Sequence, residues 1–347
     1  MKFPTLNYSK TKVNKAGKIL IANSSTQREL LWAHSVLSNW RACHGHPINT
    51  FQALLRTRIK AISGKAFAAQ RLKRTPSIIE KLKRFDTMQL TQMQDIGGLR
   101  AVVNRLHQVN RLYKEYKLGK RFEHELFSEK NYIDAPKKEG YRGIHLIFRY
   151  KNRLVPDYDG LYIELQLRTK LQHNWATAVE TMSTFLKQAL KASEGERRWL
   201  EYFEIVGSAF AHLEETTLVP GYKGLTQEQT FAMVASKEKQ LGVLDKLRGY
   251  SRAVETIGVR NKKASYHLVI LNYGTKTVRI KAFSKSQLDV ASEEYSLEEE
   301  KAANLGEKIE VVLVSAGTIK DLKKAYPNYF LDTRDFVKEV ESIIASS

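Results

Sequence analysis

Between Ser24 and Ile62 apolar side chains recur every three or four positions, at Leu30, Leu31, Val36, Leu37 and Trp40 and again at Phe51, Leu54, Leu55, Ile59 and Ile62. That spacing puts each set on one face of a helix and predicts two leading helices, one behind Ser24-Ser25 and one opened by Pro47. From Phe67 the rhythm changes. Short apolar runs predict strands at Phe67, Leu99–Asn104, Phe122–Phe127, Ile144–Tyr150 and Leu161–Leu167. Helices are predicted at Thr75-Pro76, where a hydroxyl cap precedes a proline at the first helical position, from Thr169 onward, and over Glu194–Glu215. Strands and helices alternate, which points to the α/β class.

Val219-Pro220-Gly221, with Gly224 just beyond, punctuates the chain, so residues 1–220 and 221–347 read as two domains. In the second, Thr226–Ile257 reads as helix with bends at Gly242 and Gly249, and Tyr266–Asn272 pairs with Thr277–Phe283 around Tyr273-Gly274. Acid-rich Glu293–Lys301 reads as helix or loop, Ile309–Val314 as a third strand, and Thr318–Ala325 and Asp332–Ile344 as closing helices.

Charge sharpens this division. The 347 residues carry 57 Lys+Arg against 37 Asp+Glu, a net +20. Residues 1–220 hold 37 basic and 20 acidic side chains (+17), residues 221–347 hold 20 and 17 (+3), and residues 1–70 contain 11 basic residues and the lone acid Glu29. Such a bias suits a polyanionic partner, with Arg56, Arg58 and Lys60 of the second leading helix as candidate phosphate contacts; a solvated basic face is the alternative. The single cysteine, Cys43, excludes an internal disulfide and a cysteine-based zinc cluster. No apolar run reaches the ~18–20 residues of a membrane span, and Met1–Asn14 lacks a signal-peptide core. The expected location is cytoplasmic.

Three islands carry residue types suited to polyphosphate chemistry, and none is a P-loop. From Arg71 through Lys73, Ser77 and Lys81, cations, hydroxyls and helix N-terminal amides meet at a strand-to-helix junction, an arrangement that holds phosphate. A solvated basic turn has the same pattern. Asp95-Ile96-Gly97-Gly98-Leu99-Arg100 sets an acid at a strand mouth, where a carboxylate facing a triphosphate can bind magnesium; singly, it also reads as a turn residue. The third island, Lys137 to His145, is a charged glycine loop in which Tyr141 offers a ring for base stacking. Some twenty residues on, alternation puts Glu164, Gln166 and Arg168 on one strand face, which makes that strand a site wall or a solvent-facing edge.

With Leu171-Gln172-His173-Asn174-Trp175-Ala176 and Glu180, these islands resemble the synthetase domain of the RelA/SpoT family of alarmone synthetases, over about Phe67 to Glu180. The resemblance implies a mixed-sheet α/β (α+β) domain that transfers the β,γ-pyrophosphate of ATP to a ribose 3′-hydroxyl with Mg2+. It implies Arg71 on the adenine, Lys73, Ser77 and Lys81 on the ATP phosphates, and Asp95 on magnesium. Glu164 would be the second catalytic carboxylate, as metal ligand or as base. Tyr141, His145 and Lys137 would meet the acceptor. Where the family's acceptor loop carries asparagine and serine this chain has Glu139 and Gly143, and no His-Asp hydrolase signature precedes the region. With the basic leading helices, these departures resemble the toxic branch of small alarmone synthetases, whose acceptor is the tRNA 3′ end and whose product blocks translation.

A shorter likeness, in Tyr326-Pro327-Asn328-Tyr329, Phe330 and Asp332-Thr333, resembles the antitoxin half of CapRel, the fused toxin–antitoxin phage-defence proteins. It implies a small α+β pseudo-zinc-finger domain without zinc, flanked by helices. Its Tyr326 and Tyr329 would occupy the ATP site until a phage major capsid protein binds. Those tyrosines read alternatively as packing at a helix end. For the whole chain the alternatives are a (p)ppGpp synthetase using GDP or GTP and a non-catalytic RNA-binding module.

Overall fold

Three helices lead the chain: α1 (Lys10–Ile21), α2 (Gln27–Cys43) and α3 (Gly45–Ile62). The first is additional to the two expected. Its apolar face is only Val13, Ala16, Gly17 and Leu20, set among four lysines, and Ser9 caps it. The α2 start is fixed by a reciprocal pair in which Thr26 and Glu29 bond each other's backbone amides. There follow β1 (Phe67–Leu72), α4 (Thr75–Arg84), β2 (Gly97–Val103), α5 (Leu106–Leu118), β3 (Glu125–Asn131), β4 (Ile144–Arg149), β5 (Tyr162–Thr169), α6 (Lys170–Leu186) and α7 (Arg197–Leu213). The rest comprises α8 (Gln227–Leu241), α9 (Val243–Arg252), β6 (Glu255–Ile257), β7 (Tyr266–Asn272), β8 (Thr277–Phe283), α10 (Leu288–Asn304), β9 (Ile309–Val314) and α11 (Arg334–Ala345). This computed structural model describes residues 4–64, 66–119, 123–186, 190, 195–252, 255–257, 264–272, 274–275, 277–304, 309–315, 318, 322–323, 326–330 and 332–347. Phe122, Glu194, Tyr273 and most of the helix expected over Thr318–Ala325 lie outside them. The expected Thr226–Ile257 helix is two, because Gly242 turns left-handed at φ 58° between α8 and α9.

The described strands form one mixed sheet in the order β3-β4-β5-β2-β1-β9-β7-β8-β6. The β2–β5 and β6–β8 pairs are parallel and the others antiparallel. Since β5 lies between β4 and β2, the edge-strand alternative for Glu164, Gln166 and Arg168 falls away. Ile163, Leu165 and Leu167 share a core with Phe51, Leu55 and Ile59 of α3, so period-2 alternation turns Glu164, Gln166 and Arg168 to the opposite face. The sheet also crosses residue 220, because Arg71 of β1 pairs with Val314 of β9. A second core joins Trp175 and Phe203 to Phe231 and Phe336 across the same position. Among the described residues no helix is long and apolar enough to cross a membrane.

Candidate functional site

The polar face of β5, the mouths of β1 and β2 and the side of α6 enclose one cleft, lined by Arg71, Lys73, Asp95, Gly98, Arg100, His145, Glu164, Gln166, Glu180 and Tyr326. Asp95 is gripped from both sides: Lys73 Nζ donates to Oδ2 and Lys81 Nζ to Oδ1, each at 2.8 Å. Lys73 reaches it from the end of β1, where its amide is pinned to the Ile96 carbonyl at 2.8 Å. Lys81 reaches it from α4. Burial alone would raise the Asp95 pKa, but the two ammonium groups hold it down at about 2. Burial lowers the pKa of Lys73 despite its carboxylate partner.

Ser77 sits half-buried in the first turn of α4. Thr75 is not the cap that the sequence suggested. Arg74 holds the cap position, and Thr75 and Pro76 are the first helical residues. The Thr75 hydroxyl instead accepts from Arg41 Nη1 (2.7 Å) and donates to Glu299 (3.1 Å).

Glu164 belongs to a closed circuit of five side chains. Its Oε1 is 2.8 Å from His145 Nδ1, and its Oε2 accepts from Gln166 Nε2 at 2.8 Å. Arg168 Nη2 donates to Gln166 Oε1 (2.8 Å) and to the Tyr141 hydroxyl (2.5 Å), which lies 2.5 Å from His145 Nε2. Burial would lower the His145 pKa, but Tyr141 and Glu164 raise it to about 9. Burial would raise that of Tyr141, but Arg168 and His145 lower it to about 8. For Glu164, burial is outweighed by His145, which lowers its pKa.

Tyr141 departs from expectation in its exposure. Its ring is buried, edge-on to Trp175 and Tyr132, with the Arg168 guanidinium 4.9 Å and the Lys137 ammonium 5.4 Å from its centroid. No open face is presented for a base. The reason lies in the loop. Gly140 (φ +94°) packs so closely that a Cβ would stand 2.9 Å from the Phe203 carbonyl, and this draws Tyr141 inward. Lys137 stays partly exposed and also lies 5.1 Å from the Tyr132 ring centroid.

Sequence reasoning named Arg100 and Glu180 only as members of motifs, yet both line the cleft. Arg100 points the same way as Gly98 by strand alternation, which was the available signal. Its Nε is buried without a hydrogen-bond partner among the described residues, and burial with Arg168 and Arg71 nearby lowers its pKa to about 10. Tyr326, from the far end of the chain, accepts from the Gln70 amide (2.7 Å) and donates to the Gln70 carbonyl. The Tyr329 side chain lies outside the described residues. Arg56, Arg58 and Lys60 do not join the cleft, since α3 packs on the other face of the sheet. Arg56 and Lys60 are exposed, whereas the Arg58 guanidinium lies 4.1 Å from the Tyr116 ring centroid.

Asp95 and Glu164 fit magnesium by chemistry. Both present carboxylate oxygens to one cleft, and each is close enough for the charge of Asp95 to raise the Glu164 pKa, a repulsion that a cation would relieve. No group of three or more His, Cys, Asp or Glu able to hold a metal occurs among the described residues. The remaining ligands would therefore be phosphate oxygens and water.

Residues 70–188 match the family described as "Region found in RelA / SpoT proteins". A GTP pyrophosphokinase of Bacillus subtilis (strain 168), YjbM, is 30% identical over 119 residues, 34% of this chain and 56% of that relative. The chain thus spans little more than half the length of this curated relative. Among solved structures, small alarmone synthetase 1 from Bacillus subtilis bound to its product pppGpp aligns with a TM-score of 0.46 at 21% identity, covering 52% of this chain and 93% of that one. A GTP pyrophosphokinase family protein from Streptococcus pneumoniae aligns with a TM-score of 0.42 at 24% identity, covering 49% and 85%.

Proposed function

We propose that this chain is an ATP-dependent pyrophosphokinase acting on a ribose 3′-hydroxyl, with the tRNA 3′ end as acceptor. One observation carries the reaction class: Lys73 and Lys81 converge on Asp95 in the cleft that Glu164 also lines. Pyrophosphoryl transfer asks mainly for positioning and for cations around the phosphates. On this reading the donor triphosphate takes over Lys73 and Lys81 from Asp95, Arg71 packs on the adenine, and Arg100 faces the charge of the transferred group. Magnesium, held by Asp95 and Glu164, would neutralise phosphate charge. Glu164, kept below its usual pKa by His145, is a weak base. It suits orientation of the incoming hydroxyl, which a loose transition state needs more than deprotonation.

The +17 of residues 1–220 favours a tRNA acceptor, because a free nucleotide does not require such a field. A second reading, GDP or GTP as acceptor, is favoured by the relative named a GTP pyrophosphokinase. Tyr326 supports an autoinhibited resting state, since it comes from the far end of the chain to line the donor cleft, with its hydroxyl tied to Gln70 of β1. Release by a phage major capsid protein, and with it a role in anti-phage defence, extends the proposal to the trigger.

The test is incubation of the full chain and of Tyr326→Ala with γ-labelled ATP, magnesium and, separately, tRNA, GDP or GTP, with and without capsid protein. Label on tRNA supports the first reading and label on a nucleotide the second. RNA binding without transfer, even by Tyr326→Ala, would leave a non-catalytic module.

A further inference from the structure

Arg41, at the end of α2, is 3% exposed, and all three of its guanidinium nitrogens donate. Nε donates to the Lys73 carbonyl (2.9 Å), Nη1 to the Thr75 hydroxyl (2.7 Å) and Glu299 Oε2 (2.8 Å), and Nη2 to the Tyr295 hydroxyl. Glu299 of α10 also accepts from the Thr75 amide (3.2 Å) and from the Tyr295 hydroxyl (2.6 Å). A carboxylate from the C-terminal part of the chain is therefore seated on the first turn of α4, beside the residue, Lys73, that reaches into the cleft. Two further contacts land on the same short segment: Tyr326 on Gln70, and Glu310 on Arg74 at 2.6 Å.

We propose that Glu299, held by Arg41 and Tyr295, is an electrostatic latch that docks α10 on the donor-site turn and keeps polyphosphate out of the cleft until α10 leaves. Arg41 is the positioning residue, tying the latch to the Lys73 carbonyl and the Thr75 hydroxyl. The latch rests on the reading of the Lys73–Lys81–Asp95 cleft as a triphosphate site. Its physics is twofold. An anion at a helix N-terminus uses the favourable end of the helix dipole, and here the Glu299 carboxylate occupies the Thr75 amide and the Arg41 guanidinium, donors that an incoming polyphosphate could otherwise use. In addition, apparent affinity falls by the fraction of molecules in the open form, so every contact that favours the docked form weakens anion binding.

Calorimetry with inorganic tripolyphosphate and magnesium on the full chain tests this. Glu299→Gln should bind it about 10-fold more tightly than wild type, and Tyr295→Phe should shift the same way by less. Glu300→Gln, an exposed position on the same helix with the same change in net charge, should stay within about two-fold of wild type. Hydrogen exchange over residues 288–304 should speed up in Glu299→Gln and not in Glu300→Gln. Equal affinities for Glu299→Gln and Glu300→Gln would overturn the latch, as would weaker binding by Glu299→Gln. Tyr295→Phe decides the matter if Glu299→Gln does not fold. A transfer assay on the same proteins separates the two readings. Tighter tripolyphosphate binding without transfer to any acceptor removes the pyrophosphokinase and keeps the latch, whereas transfer with unchanged affinity removes the latch alone.

Discussion

Asp95 and Glu164 are both carboxylates held ionised, but by different partners, and their variants should differ in consequence. Asp95→Asn releases two ammonium groups, while Glu164→Gln breaks the five-membered circuit at its centre. Each removes charge with little change in volume, so each should lose transfer by ~10²–10⁴-fold while near-UV circular dichroism stays native. Near-normal turnover in both would remove these carboxylates from the reaction. The pair formed by His145 and Glu164 also sets a pH dependence. The folded pKa of His145 is raised to about 9, so its contribution to stability is complete below its unfolded value of about 6.5 and is lost as the pH rises towards 9. Tyr141, lowered to about 8, contributes in the opposite sense above that pH. The thermal midpoint should therefore fall chiefly between pH 6.5 and 8. Glu164→Gln should flatten that fall in a calorimetric pH series, and an unchanged slope would place the proton elsewhere.

Two elements are shaped by contacts from far along the chain. The first is the loop before β4. Gly140→Ala must both adopt a left-handed backbone and push on the Phe203 carbonyl and the Trp175 ring, 2.9 and 3.0 Å from the new Cβ. A loss of about 1–3 kcal/mol by chemical denaturation is expected, with a disturbed Tyr141. Gly143, where the resembling family has serine, has φ +149° and would place a Cβ 3.2 Å from Arg168 Cγ, so a side chain there would press on the circuit itself. The second is β1, whose Gln70 amide and carbonyl are both met by the Tyr326 hydroxyl. Tyr326→Phe leaves that buried pair unsatisfied, at about 1–3 kcal/mol, and shifts a closed form toward the open one by ~5–150-fold. Expression of Tyr326→Phe or Tyr326→Ala should then slow growth with no trigger present, and Asp95→Asn in the same chain should abolish the effect. Harmless, soluble and transfer-competent Tyr326 variants would show that this ring is not the lock.

At the scale of the molecule, the cleft opens on one face of the sheet while α3 covers the other, so its cations meet RNA only if RNA reaches around the sheet. Arg56→Glu with Lys60→Glu should lower tRNA modification and flatten the log–log salt slope by about 2, with ATP affinity unchanged. An unchanged slope would take α3 out of the RNA surface. Arg58→Ala should act differently, through the lost contact with Tyr116, and cost about 0.5–2 kcal/mol of stability. The same division runs through what was legible in the residues. Alternation along β5 put Glu164 on a polar face and the strand-to-helix junction after β1 grouped Lys73 with Lys81, both local patterns, whereas the family resemblance was needed to join Asp95 and His145 to them as one site; the fold brings these five side chains together. The extra helices α1 and α5 escaped because their apolar faces are narrow: four positions in α1, and only Val109, Leu112 and Tyr116 buried in α5. What covers each group was decided by tertiary structure. Tyr141 is closed off by Arg168 and Lys137, Thr75 gives up its capping role to a partnership with Glu299, and Tyr326 joins a strand 256 residues before it. Periodicity records which side chains share a face of one element, because that depends on backbone geometry alone. It carries no information about which distant element will pack on that face, because that depends on burying apolar area and pairing charge across the whole chain.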